Sequence, residues 1–198
     1  MSKPVDTYVI RTRKQMAALK APTRQEIVDT LAPMGDVSVV ELAAALGLPA
    51  DALYYHLRIL QKAGLVLDAG ERDTGTRRES LFRTVAPDMR LAYKPGLKGN
   101  AQQVTPIVNS MLRLTTRNFA EALNDPDTVV DGEHRELWAT RTTSWLTEEQ
   151  LAEVNHFITQ LVRRSVSSSP MQARLFGLTM VLTPLNRTTE AGHPQSQE

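Results

Sequence analysis

Residues 38–64 read SVVELAAALGLPADALYYHLRILQKAG, and this stretch decides the fold. Ser38 and Glu41 form a capping box, in which each side chain takes the other residue's free backbone donor. They open a helix that turns Leu42, Ala43 and Leu46 inward. Gly47 is its natural stop, because glycine adopts positive φ without a side-chain clash. Only Leu48 and Pro49 separate this helix from the next, which runs from Ala50 to Ala63 and is closed by Gly64. Two short helices joined by a tight glycine turn are the signature of a helix-turn-helix.

The second helix, ADALYYHLRILQKA, has two different faces. At 100° per residue, Leu53, Leu57 and Leu60 share one side, while Asp51, Tyr54, Tyr55, Arg58 and Lys62 fall within an arc of about 100° on the other. The leucines suit a core and the polar arc suits a major groove. Arg58 can donate two parallel hydrogen bonds to guanine, and Asp51 can accept from cytosine N4. The tyrosines can meet thymine methyls or phosphates. The competing reading is a solvated face that touches nothing, but two adjacent exposed tyrosine rings argue against it. Ser38, at the entry to the first helix, is placed with these residues as a DNA contact. His56, beside the apolar face, is read as a packed histidine bonded to a nearby backbone carbonyl.

Working outward, Tyr8, Val9 and Ile10 favour a short strand. Thr12 with Gln15 forms another capping box, opening a helix that carries Met16 and Leu19 and runs to about Lys20. Pro22 suits the first position of the following helix, where its missing N–H would be unpaired anyway. Ile27, Val28 and Leu31 give that helix its stripe, and Pro33, Gly35 and Asp36 end it. Downstream of the helix-turn-helix, Leu65, Val66 and Leu67 read as a strand. Residues 68–78 read as a polar loop, and residues 80–85 as a second strand, making a hairpin or wing. Arg72, Arg77 and Arg78 on this wing suit a minor groove or its flanking phosphates. Glu71, Asp73 and Glu79 nearby keep open the alternative of a plain solvated charge run.

Beyond the wing, Pro87, Pro95, Gly96 and Gly99 mark residues 86–103 as a linker. A long helix over 104–123 carries Val104, Ile107, Val108, Met111 and Leu114. These exceed what one small domain needs to bury, so they are expected to pair with a second copy. Residues 137–146 and 175–182 read as strands. Thr147 and Gln150 open a helix between them bearing Leu151, Val154, Ile158, Leu161 and Val162, and Pro170 breaks the chain after it. Trp138 and Trp145 are expected to pack between strand and helix. The polar stretch 186–198 reads as a disordered tail.

Composition narrows the classes. The 198 residues are 41% hydrophobic and 23% charged, as in globular proteins, and no apolar run is long enough for a membrane helix. The first residues, MSKPVDTYVIRTRK, lack an apolar run before a small-residue cleavage site, so no secretory leader is expected. The absence of cysteine excludes disulfides and thiolate metal sites. Residues 1–100 hold 15 Lys and Arg against 11 Asp and Glu, and residues 101–198 hold 8 against 11. A basic first half before an acidic second half fits a nucleic-acid module joined to another domain.

The stretch APTRQEIVDTL followed by VSVVELAAALGLPADALYYHLRILQKAGLV resembles the winged-helix module of the arsenic-repressor (ArsR-like) superfamily. The resemblance covers roughly residues 12–86. It implies a dimeric bacterial regulator whose helix from Ala50 to Ala63 reads DNA. The metal-sensing members keep cysteines in the helix before the turn, here SVVELAAALG, so a thiolate sensor is excluded.

Other candidates are weaker. Asp131, Glu133, His134 and Glu136 could ligate a hard metal, and Glu153 with His156 has ligand spacing, but both sets read as solvated. No phosphate-binding loop, nucleophile elbow, zinc-protease motif or dinucleotide fingerprint is present, so no enzyme, catalytic residue or cofactor is expected. The expected architecture is α+β and mainly helical. Its parts are a winged helix-turn-helix over residues 1–86, a dimerisation and effector region over 87–185, and the tail. The expected function is that of a cytoplasmic transcriptional regulator, repressing from a palindromic operator as a homodimer. Its partners would be double-stranded DNA, a second copy and any small-molecule effector, with no membrane. The alternatives are a winged helix used for protein contacts, or a small-molecule binder with no DNA role.

Overall fold

A computed structural model of the chain describes residues 7–165 and 174–185. The described residues form, in order, β1 (Thr7–Ile10), α1 (Arg13–Ala18), α2 (Pro22–Met34), β2 (Val37–Ser38), α3 (Val39–Leu46) and α4 (Ala50–Ala63). There follow β3 (Val66–Asp73), β4 (Arg78–Thr84), β5 (Asp88–Leu91), α5 (Asn100–Leu123) and α6 (Glu148–Ser165). The fold is α+β, with about half of the described residues helical and an N-terminal winged helix-turn-helix.

Local signals place the helices. Thr12 accepts from the Gln15 N–H while the Gln15 side chain accepts from the Thr12 N–H, so both halves of the α1 capping box are made. Gly47 and Gly64 hold φ of 62° and 71°. After each of them the chain turns back into a backbone bond, from Leu48 to Ala43 at 3.1 Å and from Leu65 to Leu60 at 3.0 Å. Each such bond satisfies a carbonyl left open at a helix end.

A single core collects Ile27, Leu31, Leu42, Leu53, Leu57, Leu60 and Leu65 from α2, α3, α4 and the start of the wing. Three strands in the order β2-β4-β3 close one side, and Val37 lies opposite Phe82. A separate parallel pair, β1 with β5, sets Thr7 against Asp88 and Ile10 against Leu91. The Thr7 hydroxyl donates to the buried Asp88 carboxylate at 2.9 Å.

Several expectations need correction. Residues 68–78 are mostly strand. β3 runs on to Asp73 and β4 begins at Arg78, with a register shift between Asp68 and Glu71. The polar composition hid an exposed ladder whose side chains both face water. Residues 86–103 are more than a linker, because β5 and the first turn of α5 lie within them. The partner of β5 is β1, far upstream, so no local signal marks it. Residues 137–146 and 175–182 form no strand. Their β-favouring side chains find no pairing partner among the described residues, and β-propensity without a neighbour carries little. Trp138 and Trp145 are 69% and 80% exposed rather than packed. Pro170 and residues 186–198 lie outside the described residues.

The long helix differs most. Val104 and Ile107, expected at a dimer contact, belong to the chain's own core, with Ile107 only 2% exposed. Gln25 explains why. Its amide donates to the Leu19 carbonyl at 2.7 Å and to the Ile107 carbonyl at 2.9 Å, clasping α5 to the end of α1. Val108, Met111 and Leu114 are half-buried, and Leu112 and Leu123 are exposed. Ile107→Ala should therefore cost ~2–5 kcal/mol, independent of protein concentration. Leu112→Ala should stay within ~0.5 kcal/mol in the same urea titrations. A loss for Ile107→Ala that vanishes at low concentration would return this residue to an interface.

Candidate nucleic-acid interface

α4 is amphipathic, and the core takes its leucines. Leu53, Leu57 and Leu60 are fully buried, which turns Asp51, Tyr54, Tyr55, Arg58 and Lys62 outward, all of them exposed. Tyr55 is 66% exposed and meets His56 edge-on at 5.4 Å between ring centres. Among the described residues, neither Arg58 nor Lys62 is held in an ion pair. This face therefore offers two uncommitted cations flanked by aromatic rings.

His56 differs from expectation. Its Nδ1 is buried with no hydrogen-bond partner, where a backbone carbonyl was expected. Burial, and then the Arg24 charge nearby, hold its pKa below the usual histidine value, so the imidazole is neutral at pH 7. Arg24 itself donates to the Ala18 carbonyl and, at 3.4 Å, to the Ala17 carbonyl.

Ser38 does not reach solvent. It is 2% exposed, its hydroxyl accepts from the Glu41 N–H at 3.3 Å, and its own N–H donates to the Glu41 carboxylate at 2.8 Å. The capping reading of Ser38 is realised, and this commitment takes its hydroxyl away from a DNA contact.

The wing arginines are exposed but paired. Arg77 meets Glu79 at 2.7 Å, Arg78 meets Glu71 at 3.8 Å, and Arg72 meets Glu41 at 2.7 Å and Glu79 at 3.7 Å. Over residues 66–84 four cations (Arg72, Arg77, Arg78 and Arg83) balance four anions (Asp68, Glu71, Asp73 and Glu79), which leaves the wing itself neutral. The Arg72–Glu41 bridge latches β3 onto the first turn of α3, a contact that sequence spacing does not reveal. Such solvent-screened pairs are weak, so a phosphate can displace them. At the tip, the Gly75 N–H donates to Asp73 at 2.8 Å and Thr74 closes on the Arg77 carbonyl at 2.9 Å.

The fold defines the class: a winged helix-turn-helix module. A family described as a helix-turn-helix domain matches residues 19–68, from the end of α1 into β3. The match covers the helix-turn-helix and supports DNA binding and transcription regulation at that level, without singling out the arsenic repressors. No curated protein matches the chain. No helix among the described residues is long and apolar enough to cross a membrane. No group of three or more His, Asp or Glu among them could hold a metal ion, including the stretch from Asp131 to Glu136.

The latch is testable by titration. The Ser38 backbone N–H, then the hydrogen bond and charge of Arg72, hold the Glu41 carboxyl below its usual value. A depressed folded pKa means that its stabilisation is present above the unfolded glutamate value and is lost as pH falls through the folded one. In Arg72→Ala the carboxyl should return only partway by NMR, because the Ser38 N–H remains. No movement would show that Arg72 and Glu41 are not coupled in solution.

Proposed function

We propose that this chain is a sequence-specific transcriptional regulator that represses from a palindromic operator as a homodimer. α4 lies in the major groove and the wing tracks the flanking minor groove and its phosphates. The observation that carries this reading is the outward face of α4, where Arg58 and Lys62 make no ion pair among the described residues and lie beside Tyr54 and Tyr55. Arg58 takes the base-reading role, Lys62 and the tyrosines hold phosphates, and Asp51 accepts from a cytosine amine. Arg72, Arg77 and Arg78 exchange their glutamate partners for phosphate oxygens. The helix-turn-helix match supports a regulator rather than an enzyme, and a cytoplasmic site of action goes with that role.

The division of labour follows the fold. The segments from β1 through β5, with the first turns of α5, make the reading module, and the rest of the chain to residue 185 joins two copies and holds any effector. One module covers only a few base pairs. Two copies related by a twofold axis would set their α4 helices in successive major grooves, ~34 Å apart or a multiple of it.

Two variants separate base reading from phosphate holding. Arg58→Ala should lower specific affinity by ~1–3 kcal/mol and relax preference at one base pair per half-site. Unaltered sequence preference would remove Arg58 from the reading set. Replacing Arg77 and Arg78 together by alanine should weaken binding to all sequences alike and flatten the salt slope by ~1–2 units. A binding constant of the unmodified protein that ignores salt would overturn the DNA reading itself.

A further inference from the structure

The positive charge of the first half has one source. Residues 7–25 read TYVIRTRKQMAALKAPTRQ, with five cations (Arg11, Arg13, Lys14, Lys20 and Arg24) and no aspartate or glutamate. This run accounts for the whole cationic surplus of residues 1–100. Arg11, Arg13, Lys14 and Lys20 are exposed, and Arg24 is half-buried. None of the five makes an ion pair among the described residues. The wing is the opposite case, since each of its arginines has a carboxylate beside it.

The fold packs this charge against the reading helix. In α1, Gln15, Met16 and Ala18 are buried, which leaves Arg13 and Lys14 on the outer side. α1 and α2 both pack on α4. Arg24 donates to the Ala17 and Ala18 carbonyls and so fixes the turn that carries Lys20. The Arg24 charge also acts on His56. At 100° per residue His56 lies one step beyond Tyr55, which is the edge of the polar arc of α4. The corner between α1 and α2 thus borders the exposed Tyr55 ring. Glu26, the next acid along α2, is taken by Arg117 at 2.5 Å.

We infer that the α1–α2 corner is a third DNA-holding surface, on which Arg13, Lys14 and Lys20 grip backbone phosphates beside the bases that α4 faces. This inference rests on the DNA reading above and goes beyond it, because that reading places contacts on α4 and the wing alone. Charge chooses the occupant. Duplex DNA carries one negative charge per ~1.7 Å of its axis, and cations that neutralise phosphates release the counterions held there. Continuity with the Tyr55 edge of α4 makes it the same duplex. The wing arginines must leave their carboxylates to reach a phosphate, whereas Arg13, Lys14 and Lys20 have none to leave. Arg24 is a positioning residue, its guanidinium being spent on two carbonyls.

The triple variant Arg13→Gln, Lys14→Gln and Lys20→Gln removes three charges and spares the capping pair Thr12 and Gln15 and the core. With mixed-sequence duplex DNA as the probe, its slope of log K against log salt should flatten by ~2–3 units, and Lys20→Gln alone should flatten it by ~0.9. The charge-keeping set Arg13→Lys, Lys14→Arg and Lys20→Arg should hold the original slope, with circular dichroism unchanged. An unaltered slope in the glutamine variants, while the unmodified protein binds, overturns this inference and leaves the DNA reading standing. A slope that drops equally in the charge-keeping set overturns it as well, since the effect would then come from local structure. A triple variant that sediments at lower mass also overturns it, and gives the cluster to residues 118–134 of a second copy, where five acids stand without Lys or Arg. Failure of the unmodified protein to bind duplex DNA overturns both readings.

Discussion

The burial of Leu53, Leu57 and Leu60 is the constraint on which the rest of the molecule depends. Each side chain gives ~1.5–3 kcal/mol when removed from water. Together they fix the rotation of α4 as well as its position, because a close-packed core leaves no room for a helix to roll. A turn of 100° would carry Arg58 off the outward face and bring Leu57 toward water. α1, α2, α3 and β3 all pack against α4. The chemistry on the polar arc is therefore held by apolar side chains that never meet a ligand.

The extension is joined to this core through α5. Gln25 grips the Ile107 carbonyl from inside, and Arg117 meets Glu26 at 2.5 Å on the outside. Both contacts end on α2, one turn of helix at most from each other. α2 thus touches α5 on one side and packs directly on α4 on the other. The clasp is incompletely satisfied, since Gln25 Oε1 and Ser110 Oγ are buried without partners. Such atoms cost ~1–3 kcal/mol apiece, so this joint is held more by packing than by polar bonds.

Sequence reading succeeded where cause and effect are close along the chain. The capping pairs Thr12 with Gln15 and Ser38 with Glu41 span three residues, and Gly47 and Gly64 act where they stand. Helices bounded by such signals, and the two faces of α4, were legible before any contact was known. Reading failed where the partner is distant. Asp88 to Leu91 look like linker until Thr7 to Ile10 lie beside them, and Arg72 looks like a free wing cation until Glu41 meets it. The same limit explains Val104 and Ile107, whose apolar character demands burial without saying against what. Trp138 and Trp145 failed in the opposite direction, because bulk and β-propensity predict a core and the described residues leave both rings exposed.

The parallel pairing of β1 with β5 has a consequence for how the protein is made. The strand synthesised first waits for one synthesised about eighty residues later, and Ile107 must follow before the core is full. Contacts so far apart are slow to close, and they expose the half-built apolar surface meanwhile. On the ribosome, the helix-turn-helix emerges early with its leucines uncovered. It finishes folding only when the start of α5 has cleared the exit tunnel, so the order of synthesis sets the moment at which α4 is first held in its final place.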